Sequence, residues 1–122
     1  MMYTIEDVEV MLDEICEELP EAFFKHLNGG VLLLEEAKTK WEGSGLLYVM
    51  GQYHNNSMGR YIYIFYGSFA CLYPHATKQE IREELKDVLL HEFTHHLESL
   101  AGIRSLEKQD ERDMERFREM HP

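Results

Sequence analysis

The sequence predicts a single α+β domain, in which helices toward both ends of the chain enclose a small sheet. Three observations carry this prediction. Apolar residues recur at helical spacing near the N-terminus, short apolar and aromatic runs follow in the middle, and a capped amphipathic segment begins at Thr77. The chain has 122 residues, the size of one domain over 1–122, and its 44% hydrophobic residues suffice for a buried core.

The first helix is predicted over residues 5–19, where apolar side chains return every three or four positions. Thr4 stands where a capping residue is expected. Pro20 either breaks this helix or opens a short second helix over residues 21–27, which Gly29-Gly30 would close.

Three strands are predicted in the middle of the chain, over residues 31–34, 46–52 and 60–66. The last of them is rich in aromatic and β-branched side chains, which favour strands. Residues 38–45 are predicted to be a polar loop. Residues 54–59 supply turn chemistry, because Asn and Gly tolerate positive φ. The sheet should therefore contain about three to four strands.

A long helix follows, starting with a capping box at residues 77–80, a Thr with a Glu three positions on. It should run to about Leu100, with Gly102 in the stop position. Ser105 then caps a last, mostly charged helix that ends near Met120. These two helices complete the predicted α+β order.

The charge balance argues against some partners. Asp and Glu total 23 and Lys and Arg total 12, which gives a net charge of −11. A surface this negative repels phosphate groups, so we expect no nucleic-acid partner and no binding to anionic membranes. The sequence leaves the oligomeric state open.

The cysteines and the N-terminus indicate the compartment. Cys16 and Cys71 form no CxxC pair and lie in apolar segments, so both are expected to be buried free thiols. The acidic N-terminus lacks the basic start of a signal peptide. No apolar stretch approaches the roughly 20 residues that span a bilayer. We therefore expect a soluble, cytoplasmic protein.

The motif with chemical content is His91-Glu92-Phe93-Thr94-His95, within the long helix. Histidines four residues apart share one helix face, so their imidazoles can converge on one ion. A Glu directly after the first His points to another side of the ion and can act on a water molecule. This is the logic of H-E-x-x-H, which predicts one Zn²⁺ held by His91 and His95 with Glu92 as general base.

The helical projection supports a metal site. His91 and His95 lie about 40° apart and off the apolar stripe, where packing does not explain them. The plainer alternative is a pair of surface histidines on an amphipathic helix. His96 falls inside the apolar arc, so we expect it to be partly buried with a hydrogen-bond partner, and not to be a direct ligand.

A zinc site needs a third protein ligand, and three carboxylates are candidates. Glu98 ranks first because it follows His95 on nearly the same face. Glu107 and Asp110 rank second and third, because a chain that turns back after Gly102 would bring them near. For each of the three, a solvated acidic side chain is the plainer interpretation.

These residues resemble the bacterial minimal zincin-like metallopeptidases over most of the chain. The specific part is the helix motif, and the other matches are individually weak. The matching stretches are LPEAFFKHLNGGVLLLEE, LLYVMGQY, YIYIFYGSF and LLHEFTHHLESLAG. The resemblance implies a minimal zincin-like fold, with the sheet packed on the N-terminal helix and the H-E-x-x-H helix. The family's acidic third-ligand position is occupied here by Ala101, or by Ser105 if the helix is one turn longer.

The resemblance implies hydrolysis of peptide bonds in a peptide or protein substrate, by water that the metal activates and Glu92 deprotonates. An extended peptide could pair with residues 60–66 if that strand is a free edge. The competing hypothesis is a zincin scaffold with weak or no turnover that binds metal or a partner. The missing acidic position and the small size favour that alternative.

Overall fold

The computed structural model describes the backbone of residues 1–120 and the side chains of residues 1–102. It is an α+β fold, as predicted. The elements in chain order are α1 (Ile5–Glu18), a 3-10 turn (Glu21–Phe24), β1 (Gly30–Leu34), β2 (Lys38–Glu42), β3 (Gly45–Val49), β4 (Gly51–Asn56), β5 (Gly59–Phe65), α2 (Tyr66–Leu72) and α3 (Lys78–Met120).

Three strands form a mixed sheet in the order β1-β5-β4. β1 pairs with β5 in parallel, and β4 pairs with β5 antiparallel, so that Leu32 and Gln52 flank Tyr63. β5 is therefore the central strand. The expectation that residues 60–66 offer a free edge is wrong, because β1 occupies the side of β5 that the β4–β5 hairpin leaves open. The edges of this sheet are β1 and β4.

A separate hairpin replaces the polar loop predicted over residues 38–45. β2 pairs with β3 across the two-residue turn Gly43-Ser44, where Gly43 has φ +62. The prediction was wrong because both faces of this hairpin are largely exposed, as Trp41 shows at 74%, so the sequence lacks an apolar alternation. The strand predicted over residues 46–52 is divided at Met50, where the chain passes from this hairpin into the three-stranded sheet.

The core lies between one face of the three-stranded sheet and the helices α1 and α3. Fully burying one of its large apolar side chains stabilises the fold by about 1.5–3 kcal/mol. The apolar stripe predicted on α3 is buried, which leaves the opposite face of that helix available for other chemistry. Buried core residues include Val8, Met11, Leu12, Ile15, Ile62, Ile64, Phe69, Ile81, Leu85, Leu89 and Phe93.

Capping is as predicted at the start of both long helices. The Thr4 and Asp7 side chains each accept a bond from the other residue's backbone, and Thr77 and Glu80 do the same for α3. The stop predicted at Gly102 is wrong, because α3 continues through it to Met120. A single glycine in a helix costs only about 1 kcal/mol relative to alanine, which does not end a helix flanked by good helix formers.

The helix α2 was not predicted, and its N-terminus has no side-chain cap that would mark it.

Cys16 is half-buried but Cys71 is exposed on α2, so the expectation of two buried thiols is wrong for Cys71, although both are free. None of the helices in the described part of the chain combines the length and apolar run needed to cross a bilayer.

Candidate metal centre

The two motif histidines meet on the exposed face of α3. The Nε2 atoms of His91 and His95 lie 3.1 Å apart, and the rings stand nearly perpendicular at 87°. Spacing of four residues on a helix produces this convergence, since it stacks the two side chains on one face. The predicted pair is therefore brought together.

This donor set fits a zinc ion. Zinc binds histidine nitrogen at about 2.0–2.1 Å, so two such ligands in tetrahedral geometry lie about 3.3 Å apart. The observed separation of 3.1 Å is close to that value. Among the residues whose side chains are described, His91, Glu92 and His95 offer ligand-type atoms that all lie within 4.8 Å of one another.

Glu92 occupies a different environment from its two neighbours in this group. Only 6% of the residue is exposed, and its carboxylate accepts a hydrogen bond from the backbone N–H of Tyr53. Burial raises the pKa of this carboxyl group, while His91, His95 and the Tyr53 bond oppose the rise. A buried carboxylate with a raised pKa, beside two metal-type ligands, is suited to accept a proton.

Gly51 allows β4 to approach Glu92 closely. A Cβ atom at this position would lie 2.8 Å from Cγ1 of Val88 and 3.2 Å from Oε2 of Glu92. The sequence analysis does not identify Gly51 as part of the site, because it predicts one unbroken strand over residues 46–52. The glycine within that predicted strand was the available signal, since an isolated glycine in a strand often marks a close backbone approach.

His96 is buried and is not in the convergent group, as predicted. It is fully buried, its Nε2 lies 2.8 Å from the Lys25 carbonyl oxygen, and its Nδ1 lies 2.9 Å from the Tyr53 hydroxyl. A carbonyl only accepts, so Nε2 carries the hydrogen and Nδ1 accepts from Tyr53. This arrangement ties α3 to β4 directly behind the histidine pair.

The three carboxylates predicted as candidates for a third ligand differ in where they lie. The Glu98 carboxylate lies 3.9 Å from Nδ1 of His95, on the opposite side of the ring from the Nε2 that faces His91, and its side chain is 69% exposed. The described arrangement thus leaves Glu98 outside the convergent group. Glu107 and Asp110 lie outside the residues whose side chains are described.

An open cleft of about 650 Å³ surrounds the histidine pair. Its volume is in the range of small-ligand sites. The cleft lies between α3 and the edge strand β4, with part of the β2–β3 hairpin at its rim. The lining residues are Lys40, Val49, Gly51, Gln52, Tyr53, His91, Glu92, His95, Glu98 and Ser99.

Comparison with known proteins finds a similarity to a solved structure. No protein-family model matches the chain, and no curated protein matches it. The solved structure of a conserved hypothetical protein from Thermo thermophilus superposes on it with a TM-score of 0.67. The two sequences are 33% identical, and the match covers 81% of this chain and 98% of that chain.

Proposed function

This chain belongs to the same family as the conserved hypothetical protein from Thermo thermophilus, and from its own site we propose that it is a zinc-dependent peptidase of minimal zincin-like fold. One observation carries the proposal. Two histidine Nε2 atoms converge at 3.1 Å on an exposed helix face, directly beside the buried carboxylate of Glu92. A pair of surface histidines on an ordinary amphipathic helix does not require a buried carboxylate beside it.

The residues of the chain take distinct roles in this proposal. His91 and His95 hold the ion, which when bound supplies a Lewis acid for the carbonyl of the scissile bond. Glu92 removes a proton from the attacking water as its oxygen bonds to the carbonyl carbon. Glu92 then gives that proton to the leaving nitrogen as the C–N bond breaks. Because burial raises the pKa of Glu92, its carboxylate is a stronger base near neutral pH than an ordinary carboxylate, which favours both proton transfers.

The edge of β4 is the natural position for an extended peptide. β4 is an edge strand, and Gly51, Gln52 and Tyr53 line the cleft together with Glu92, so the outer edge of β4 runs past the carboxylate. A peptide that pairs with the free edge of a sheet gains main-chain hydrogen bonds. On β4 such a peptide lies within the cleft, beside the groups proposed to act on it.

The second candidate is a metal-binding protein of the same fold without turnover. The placement of Glu98 favours it, because the described residues bring two nitrogens and the proposed base together without a third ligand. Zinc binding without cleavage of any peptide would support this candidate.

The test is the substitution Glu92→Gln, with cleavage of a diverse peptide library followed by mass spectrometry in the presence of zinc. Glu92→Gln keeps the shape and removes the basicity, so we expect zinc affinity to be nearly unchanged and cleavage to fall about 10²-fold or more. Glu83→Gln makes the same chemical change on the exposed side of α3 and should retain full activity. Cleavage that survives Glu92→Gln would refute the assigned role.

A further inference from the structure

A second cavity joins the cleft and shares with it Lys40, Val49, Gly51, His91 and Glu92. It has a volume of about 440 Å³ and lies between the β2–β3 hairpin and the turns of α3 that precede His91. We call it the side cavity. The residues that determine its chemistry are Glu42, Leu47, Val49, Glu84, Asp87 and Val88.

The walls of the side cavity differ in character. Leu47, Val49 and Val88 provide an apolar surface next to Gly51. Glu84 and Asp87 provide carboxylates on the α3 wall, with Asp87 one helical turn before His91. A ligand that fills this space needs an apolar stem and a polar end.

The charge of the side cavity is negative. Lys40 lies 3.9 Å from Glu42 and offsets it, whereas neither Glu84 nor Asp87 forms a salt bridge among the described residues. Glu84 and Asp87 therefore make the α3 wall negative, in a chain whose net charge is −11, whereas Lys40 and a Zn²⁺ ion held by His91 would lie where the side cavity meets the cleft. The carboxylates favour a cation at the α3 wall.

We propose that the side cavity binds a lysine or arginine side chain of the peptide substrate, close to the scissile bond. Lysine and arginine carry a cationic head on an aliphatic stem, and such side chains lay the stem on apolar surface while the head stays polar. The stem contacts Leu47 and Val88, and the head lies against Asp87. This inference names the substrate class of the peptidase proposed above and rests on that proposal.

The test uses binding of fluorescent peptides to the full chain carrying Glu92→Gln and loaded with zinc, measured by anisotropy. The peptides form sets, and within a set only one position varies. That position carries lysine, norleucine or glutamate. We expect the lysine peptide to bind about tenfold more tightly than the norleucine peptide at low salt, and the glutamate peptide to bind most weakly. Adding Asp87→Asn should reduce the lysine preference to about twofold or less.

Glu83→Gln is the matched control, because it removes one carboxylate from α3 outside the side cavity and should leave the preference unchanged. Zinc affinity and circular dichroism establish that the Asp87→Asn protein is folded with an intact site. A norleucine peptide that binds as well as the lysine peptide at every position overturns the inference. A lysine preference that survives Asp87→Asn overturns it too.

Cleavage by the wild-type protein separates this inference from the proposed function. Lysine-dependent binding without cleavage would refute the peptidase and leave the side cavity as a binding site for basic peptides. Cleavage without preference for a basic residue would refute the side-cavity inference and support the peptidase. Neither binding nor cleavage of any peptide would refute both.

Discussion

The imidazoles of His91 and His95 stand on the exposed face of α3 with their Nε2 atoms 3.1 Å apart. Without an ion, one ring must donate a hydrogen to the other at this distance, which requires complementary tautomers. An ion bound between the rings would take a lone pair from each Nε2, so neither Nε2 could then carry a hydrogen. The hydrogen between the two rings and a bound ion therefore exclude each other.

Zinc binding through this pair is the first prediction at the residue scale. The wild-type protein should bind about one Zn²⁺ in isothermal calorimetry, and His91→Ala or His95→Ala should abolish binding. His75→Ala removes an exposed histidine outside the motif and should change nothing. Equal zinc affinity in the protein lacking both His91 and His95 would exclude this site.

The same titration measures the role of Glu98. Its carboxylate lies 3.9 Å from Nδ1 of His95. A shift of less than about 1 Å would bring it within hydrogen-bond distance of that nitrogen. Loss of such an outer partner of a metal-binding histidine typically costs 10–100-fold in metal affinity. Glu98→Gln should therefore weaken zinc binding by about that factor. An unchanged affinity would mean that Glu98 is an ordinary solvated side chain.

At the scale of elements, the contact between β4 and α3 controls the site. Gly51 brings the strand against Val88 and Glu92, and the Tyr53–His96 hydrogen bond holds the next turn of the helix to the same strand. Glu92 is thus fixed by contacts from one edge strand. The histidine pair needs no such support, because one helix carries both side chains.

Gly51→Ala should disturb this contact. The added Cβ would lie 2.8 Å from Val88 and 3.2 Å from Glu92, closer than packed atoms allow without movement. Overpacking of this kind typically costs about 1–3 kcal/mol, which urea unfolding measures. The cleavage rate should fall as well, because Glu92 must shift.

Gly102→Ala is the matched control for that substitution. Its Cβ would meet nothing within 4 Å, and the residue lies inside α3. Alanine is the better helix former by about 1 kcal/mol, so this variant should be as stable as wild type or more stable. Gly51→Ala with unchanged stability and activity would show that the strand and helix can separate without cost.

At the scale of the whole molecule, the two free cysteines report on folding. Burial, with a smaller contribution from Asp13, raises the pKa of the Cys16 thiol to about 11, whereas Cys71 is exposed on α2. Because the thiolate is the reactive form, a raised pKa keeps Cys16 protonated and unreactive near neutral pH.

Iodoacetamide at pH 8 should therefore modify Cys71 quickly and Cys16 at least about 10²-fold more slowly. The Cys16 rate should rise about tenfold per pH unit toward its pKa of about 11. Urea should expose Cys16 at the same concentration at which circular dichroism reports global unfolding. Peptide mapping after timed quenching measures both rates. Equal rates for the two thiols in the folded protein would contradict the packing of α1.

The first helix, the start of α3 and the motif were predictable from the sequence, whereas α2 and the continuation of α3 past Gly102 were not. Helical periodicity and capping are local, so Thr4, Thr77 and the apolar stripe of α3 could be assigned from neighbours within a few residues. The convergence of His91 and His95 follows from the same spacing, and so does the burial of His96.

Only the tertiary structure decided which strands pair and what surrounds the motif. Strand neighbours are distant in sequence, and a strand exposed on both faces carries no apolar alternation, so the β2–β3 hairpin and the central position of β5 were not predictable. The burial of Glu92 against Gly51 depends on that pairing, and the position of Glu98 depends on side-chain placement. The sequence determined a helix that carries two convergent histidines, because turn-to-turn spacing is local. Packing between distant segments decided how Glu92 is buried and which strand edge borders the cleft.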